Sequence, residues 1–303
     1  MAERGASRTP RLVSAAKLEA MLGSPGLHVL EVCSTSVAAP FRDAHVPGSR
    51  WAYWKELLWH ETDRRFADPA TIARRLGELG IPTGATVVLV GDPIQHGAYA
   101  LWVLHMQGQR DVLLLDGGRG AWLRGGFPVE SGWTAATPVA HASGPEDHSA
   151  CIGREDVLAA IGGEAVIVDF RSDEEYSGER VSPTTEPVDH GAERTGRIPG
   201  ARHLYFERLL HDDGTFRPVH ELRDIVAEAG VGENDEVIAY CRLSHRASLG
   251  WFALTELLGR ERVRVYDGSW TEWGSMVGMP VEGPAQPAAR TGSPSAAVGP
   301  SSH

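Results

Sequence analysis

Residues 237–259 read VIAYCRLSHRASLGWFALTELLG. Val237 to Tyr240 are apolar without alternation, as in a strand buried on both faces of a parallel sheet. Trp251, Leu254 and Leu258 then recur on one face of a helix. Between them, Cys241 to Arg246 form a short connection at the carboxyl edge of the sheet, where open parallel sheets place their ligands.

The same signals recur in the N-terminal half. TVVLV (86–90) matches EVIAY (236–240), and LGELGI (76–81) matches VAEAGV (226–231). HVPGSR (45–50) pairs with RIPGAR (197–202), LDGGRGAW (115–122) with YDGSWTEW (266–273), and FPVE (127–130) with MPVE (279–282). The offsets run from 150 to 152 in one consistent order, which identifies an internal duplication longer than a solenoid period. Further β-branched runs lie at 28–32, 111–115, 165–170 and 262–266. Helical patterns lie between them. In 68–79, Asp68 is the N-cap, Pro69 takes the first helical position, and Ile72, Leu76 and Leu79 share a face. Leu222, Ile225, Val226 and Ala229 repeat that face in 219–229. Each half therefore reads as α/β, a parallel sheet flanked by helices on both faces. The expected units are 11–131 and 150–282, joined by a Gly/Pro/Ala/Ser-rich linker at 132–149. A tail without apolar periodicity, 283–303, is expected to be disordered.

Composition narrows the chemistry. The 303 residues carry a formal net charge of −11, which disfavours nucleic acid and anionic membranes as partners. No apolar run is long enough for a membrane span, and the polar N-terminus does not resemble a secretory leader, so a cytoplasmic location is expected. Three cysteines, Cys33, Cys151 and Cys241, do not make a disulfide framework, and none are at metal-ligand spacing. No metal and no organic cofactor are expected.

Cys241 is the candidate nucleophile. The backbone N–H groups of 241–246 and the following helix N-terminus would form a nest favouring negative charge. Arg242 and Arg246 would border it, and such surroundings favour the reactive thiolate. A buried, inert cysteine is the bland alternative, but it would strand two arginines beside an apolar core. In the first half Gly91-Asp92 occupies the place of Cys241-Arg242, so that half is read as catalytically silent, one wall of the cleft. Between the matched segments the second half is about 14 residues longer. This acidic insert near 172–196 is either a solvated loop or a lip over the site.

Over about residues 11–282 the chain resembles the tandem-domain rhodanese family, the thiosulfate sulfurtransferases. That family's loop reads Cys-Arg-x-Gly-x-Arg-Ser/Thr, and here it is Cys241-Arg242-Leu243-Ser244-His245-Arg246-Ala247. HVPGS, RIPGA, Asp169-Phe170-Arg171 and the Asp-Gly-Gly/Ser segments followed by Trp also match. Ser244 replaces the family glycine, so it either strains the loop or adds a hydroxyl donor. The resemblance implies a double displacement through a Cys241 persulfide. Arg171, Arg242 and Arg246 would hold a small anionic sulfur donor, Leu243, Ser244 and His245 would complete the loop, and cyanide or a thiol would be the acceptor. Relatives using 3-mercaptopyruvate resemble Cys-Gly-x-Gly-Val-Thr at this loop, which favours thiosulfate here. Related phosphatases place the arginine six residues after the cysteine rather than five. A non-enzymatic sulfur carrier or binding module is the remaining alternative.

Overall fold

A computed structural model describes residues 10–186 and 188–283. The tail expected to be disordered lies outside the described residues from 284 onward. The first half holds β1 (Leu12–Val13), β2 (Leu27–Cys33), β3 (Arg50–Tyr53), β4 (Thr86–Asp92) and β5 (Val112–Leu115). The second holds β6 (Cys151–Ile152), β7 (Val166–Asp169), β8 (Arg202–His203), β9 (Val237–Tyr240) and β10 (Val263–Tyr266). The sheet orders are β1-β5-β4-β2-β3 and β6-β10-β9-β7-β8, one topology used twice. All ladders between these strands are parallel, as the unalternating apolar runs require.

The helix Pro69–Glu78 starts as its sequence predicts. Asp68 accepts from the Thr71 amide at 2.8 Å, and Ile72 and Leu76 face the core. The two halves meet through equivalent helices, Ile94–Met106 and His245–Phe252. Ala98, Leu101 and Trp102 of the first and Leu249, Phe252 and Ala253 of the second half belong to one continuous buried cluster. Removing this apolar surface from water couples the halves more firmly than a flexible tether could. Arg11 and Glu256, both nearly buried, close the interface with a 2.7 Å ion pair. The linker is not a loose tether. His141 Nδ1 lies 2.9 Å from the Ile81 carbonyl, and the Val139 and Asp147 amides donate to Gly77 and Met106.

Each half also lends a loop to the other. Residues 59–66, closed by the Trp59–Phe66 bridge, reach Asp267, while residues 210–216, closed by Leu210–Phe216, reach Asp116. Asp116 and Asp267 occupy matching places in the repeat, so the exchange is close to two-fold symmetric. Among the described residues no helix is long and apolar enough to cross a membrane.

Candidate active site

β9 stops at Tyr240 because the backbone turns away from the sheet at Cys241, and the next helix begins at His245. The turn is pinned on both sides. The Cys241 amide donates to Ser269 Oγ at 3.2 Å, the Cys241 carbonyl accepts from the Trp270 amide at 2.9 Å, and the Arg242 carbonyl accepts from Thr271. Ser244 then adopts φ 69° and reverses the chain. Among the described residues, the amides of Arg242, Leu243, Ser244, His245, Arg246 and Ala247 donate to no protein acceptor. Six consecutive free N–H groups capped by a helix N-terminus make an anion cradle.

Ser244 and Ser269 are the non-glycine residues with positive φ among those described, and both touch this turn. Backbone strain of this kind persists where surroundings enforce it. The Ser244 hydroxyl does not face the cradle as a donor. It is directed to Asp267, 2.6 Å from the carbonyl oxygen and 2.8 Å from Oδ1. Ser269 donates to the Tyr266 carbonyl while accepting from Cys241.

The three expected arginines part company. Arg246 lies at the cradle, only 9% exposed, and its Nη1 and Nη2 donate to the two oxygens of fully buried Glu175 at 2.6 and 2.8 Å. Two of its five N–H donors are thereby used, and Glu175 holds it charged despite burial. Arg242 turns to the insert, its side chain 13% exposed. Its Nη2 donates to His190 Nδ1 at 2.9 Å, and Nη1 lies 3.7 Å from Glu186, which ties the loop rim to the insert. Arg171 lies deeper than the other two. It is 0% exposed, bonded through Nε and Nη2 to Asp169 and through Nη2 to the Gly196 carbonyl, with its guanidinium 4.5 Å from the Trp270 ring. Its Nη1 is buried with no hydrogen-bond partner among the described residues, and its charge acts on Arg246 and Glu175 beside the cradle.

The insert is not a solvated loop throughout. Ser172 caps the helix Asp173–Ser177 in a capping box with Glu175, the same residue that grips Arg246. Arg194 donates to the carbonyls of Trp273, Gly274, Met276 and Met279, fixing the insert beside the last helix. The first half supplies the opposite wall. Trp54, His96 and Tyr99 place their rings 4.3–4.5 Å from buried His245, and Arg64 donates to Asp267 at 2.6 Å. Burial keeps His245 and His96 neutral, pushing His96 down to about 4. Leu243 sits half-buried at the rim. Cys241 itself is 1% exposed, more enclosed than an open sheet edge suggested.

Neither other cysteine shares these surroundings. Burial raises Cys33 to about 12, aided by Asp92 and Glu31, and raises Cys151 to about 12, aided by Asp267. Both stay protonated thiols at neutral pH. The sequence reading missed Glu175, Arg64, Asp267 and Ser269. For Glu175 a signal existed in Ser172-x-x-Glu175, the capping-box spacing.

A fold of paired parallel sheets, one edge turned into an amide cradle around a cysteine, agrees with the comparisons. The Rhodanese-like domain model matches residues 154–276. A Mycobacterium bovis protein provisionally named thiosulfate sulfurtransferase 1 is 38% identical over 277 residues, 91% of this chain and 99% of that one. The sulfur carrier protein TtuD of Thermus thermophilus is 36% identical over 275 residues, 89% of this chain and 95% of that one. The anaerobic ergothioneine biosynthesis enzyme of Chlorobium limicola, solved with trimethyl histidine, superposes with a TM-score of 0.77 at 25% identity, covering 90% of this chain and 70% of that one. The chain belongs to the rhodanese family, as a tandem-domain sulfurtransferase.

Proposed function

We propose that the second half transfers the sulfane sulfur of thiosulfate to a thiophilic acceptor through a persulfide on Cys241. The observation that carries this reading is the run of six unpartnered amides directly after Cys241, with Arg246 beside them. The Cys241 thiolate attacks the outer sulfur of thiosulfate. A bond forms between the two sulfurs as the S–S bond of the donor breaks, and sulfite leaves with the electron pair. Charge building on the sulfite oxygens is met by the unused N–H groups of Arg246 and by loop amides, donors already in place before the reaction. A thiolate or cyanide then attacks the terminal sulfur, which restores the Cys241 thiolate. Two easier displacements replace one difficult transfer. Arg242, at the rim, draws the anion toward a chain whose net charge of −11 would otherwise repel it.

The name of the Mycobacterium bovis relative supports thiosulfate as donor, and the loop's two arginines favour it over 3-mercaptopyruvate. A second reading, storage of sulfur for hand-over to another protein, has the enclosure of Cys241 and the Thermus relative in its favour. Steady-state thiocyanate formation from cyanide tests these directly. Turnover with thiosulfate above that with 3-mercaptopyruvate, and none in Cys241→Ser, is the expected result. A Cys241→Ser protein as active as the parent would refute the mechanism, and a persulfide that forms but hardly turns over would favour the carrier.

A further inference from the structure

The cradle depends on Ser244 holding a left-handed conformation, φ 69°, that costs a serine free energy glycine does not incur. What keeps it there leads out of the catalytic half. The Ser244 hydroxyl is fixed by the Asp267 carbonyl and Oδ1 at 2.6 and 2.8 Å. The other carboxylate oxygen of Asp267 takes Arg64 Nη1 at 2.6 Å, and Arg64 Nη2 reaches the Asp267 carbonyl at 3.3 Å. Arg64 comes from the first half. Its guanidinium lies 4.1 Å from the centre of the Trp59 ring, and the Trp59 indole N–H donates to Tyr99 at 2.8 Å. Arg64 thus approaches Asp267 already oriented, its guanidinium held over the Trp59 ring and its fork aimed at the oxygens that anchor Ser244.

We infer that Arg64 is a positioning residue for the cradle: acting from the silent half through Asp267, it holds Ser244 left-handed so that the amides of 242–247 stand free. The inference rests on those amides being the anion site proposed above. As an exposed ion pair alone, Arg64–Asp267 would contribute little. Its effect lies in which conformation of Ser244 it selects. Glycine adopts that conformation unaided, so the need for Arg64 should vanish when position 244 is glycine. A contact that merely glued the halves together would matter equally in both backgrounds.

The test is amide hydrogen exchange in the full chain, followed on peptides spanning 241–251 and 94–106, for the parent, Arg64→Gln, Ser244→Gly and the double variant. We expect Arg64→Gln to speed exchange of the Ser248 amide, which donates to the Ser244 carbonyl at 2.7 Å, and of the helix amides after it, about tenfold in the parent and less than about twofold in the Ser244→Gly background. Exchange in 94–106 should stay unchanged. Equal acceleration in both backgrounds, or none in either, would overturn the inference. Should Arg64→Gln loosen 94–106 as well, Arg64→Lys, which keeps the charge and loses the fork, is judged by the same pair of ratios. Single-turnover persulfide formation on the same four proteins separates the two levels. A parent that does not react with thiosulfate counts against the donor, while the exchange ratios still decide the role of Arg64.

Discussion

The crossing from β4 to the helix at Ile94 and the crossing from β9 to the helix at His245 are the same connection in two copies of one sheet. In the repeat, Gly91 matches Cys241 and Ile94 matches Ser244, so their lengths in sequence agree to about one residue. The first copy uses its residues to prolong β4 to Asp92, paired with Cys33 of β2, and starts its helix at Ile94. The second ends β9 at Tyr240 and leaves 241–244 as an open turn. No insertion created the cradle; the backbone was diverted by a left-handed residue. The charges followed. Asp92 lies 3.6 Å from Arg119, where the second copy carries Arg242. The sheet supplies a place, and the local conformation of a few residues supplies the chemistry.

Changes at four positions would break or sharpen this contrast. The largest effect is expected for Glu175→Ala, which strands Arg246 as an unpaired buried charge. It should cost about 3–5 kcal/mol of stability in urea unfolding, together with most persulfide formation. Next is Glu31, the first-half match of Asp169. Asp169 has Arg171 bonded to it, whereas buried Glu31 accepts from the Val46 amide at 2.7 Å and from Ser49 Oγ at 2.9 Å, with Arg119 no nearer than 3.6 Å, and burial lifts it from 4.5 to about 7. A carboxyl raised on folding favours the native state while protonated. That contribution is complete below the unfolded value and is lost as pH rises through about 7. Glu31→Gln should therefore gain about 2–3 kcal/mol relative to the parent between about pH 5 and pH 8, read from paired denaturation curves.

Third, a Cβ at Gly91 would lie 2.6 Å from the Gly97 nitrogen and the Ile94 carbonyl oxygen. Gly91→Ala should cost about 1–3 kcal/mol, and Gly91→Cys should acquire no sulfur transfer, because the closed crossing offers no cradle. The smallest effects concern Ser244. Ser244→Ala keeps the strain and loses the Asp267 anchor, at about 1–2 kcal/mol. Ser244→Gly loses the anchor but also the strain, and should fall below that. The reverse order, measured by denaturation midpoint, would mean that φ at this position does not govern the turn.

Much of this architecture was legible in the sequence because it is written in short-range patterns. The duplication, the buried parallel strands and the Asp68 cap depend on residues close together in the chain. Cys241 at a strand end was legible for the same reason. What the sequence did not disclose is which partner each arginine takes. Arg171 follows a strand, and Asp169, two residues earlier, takes its Nε and Nη2 while Nη1 stays without a partner among the described residues. Arg246 owes its state to Glu175, 71 positions away, and Ser244 owes its conformation to Asp267 and, through it, to Arg64 in the other half. Such long-range polar pairs follow from folded geometry and leave little periodic trace.

Mass analysis of peptides after brief thiosulfate treatment tests the central claim most directly. One added sulfur on the peptide carrying Cys241, removed by cyanide with release of thiocyanate, and no addition on the peptides carrying Cys33 or Cys151, is the predicted result. Sulfur carried by either of those two cysteines, or by the Cys241→Ser chain, would contradict it.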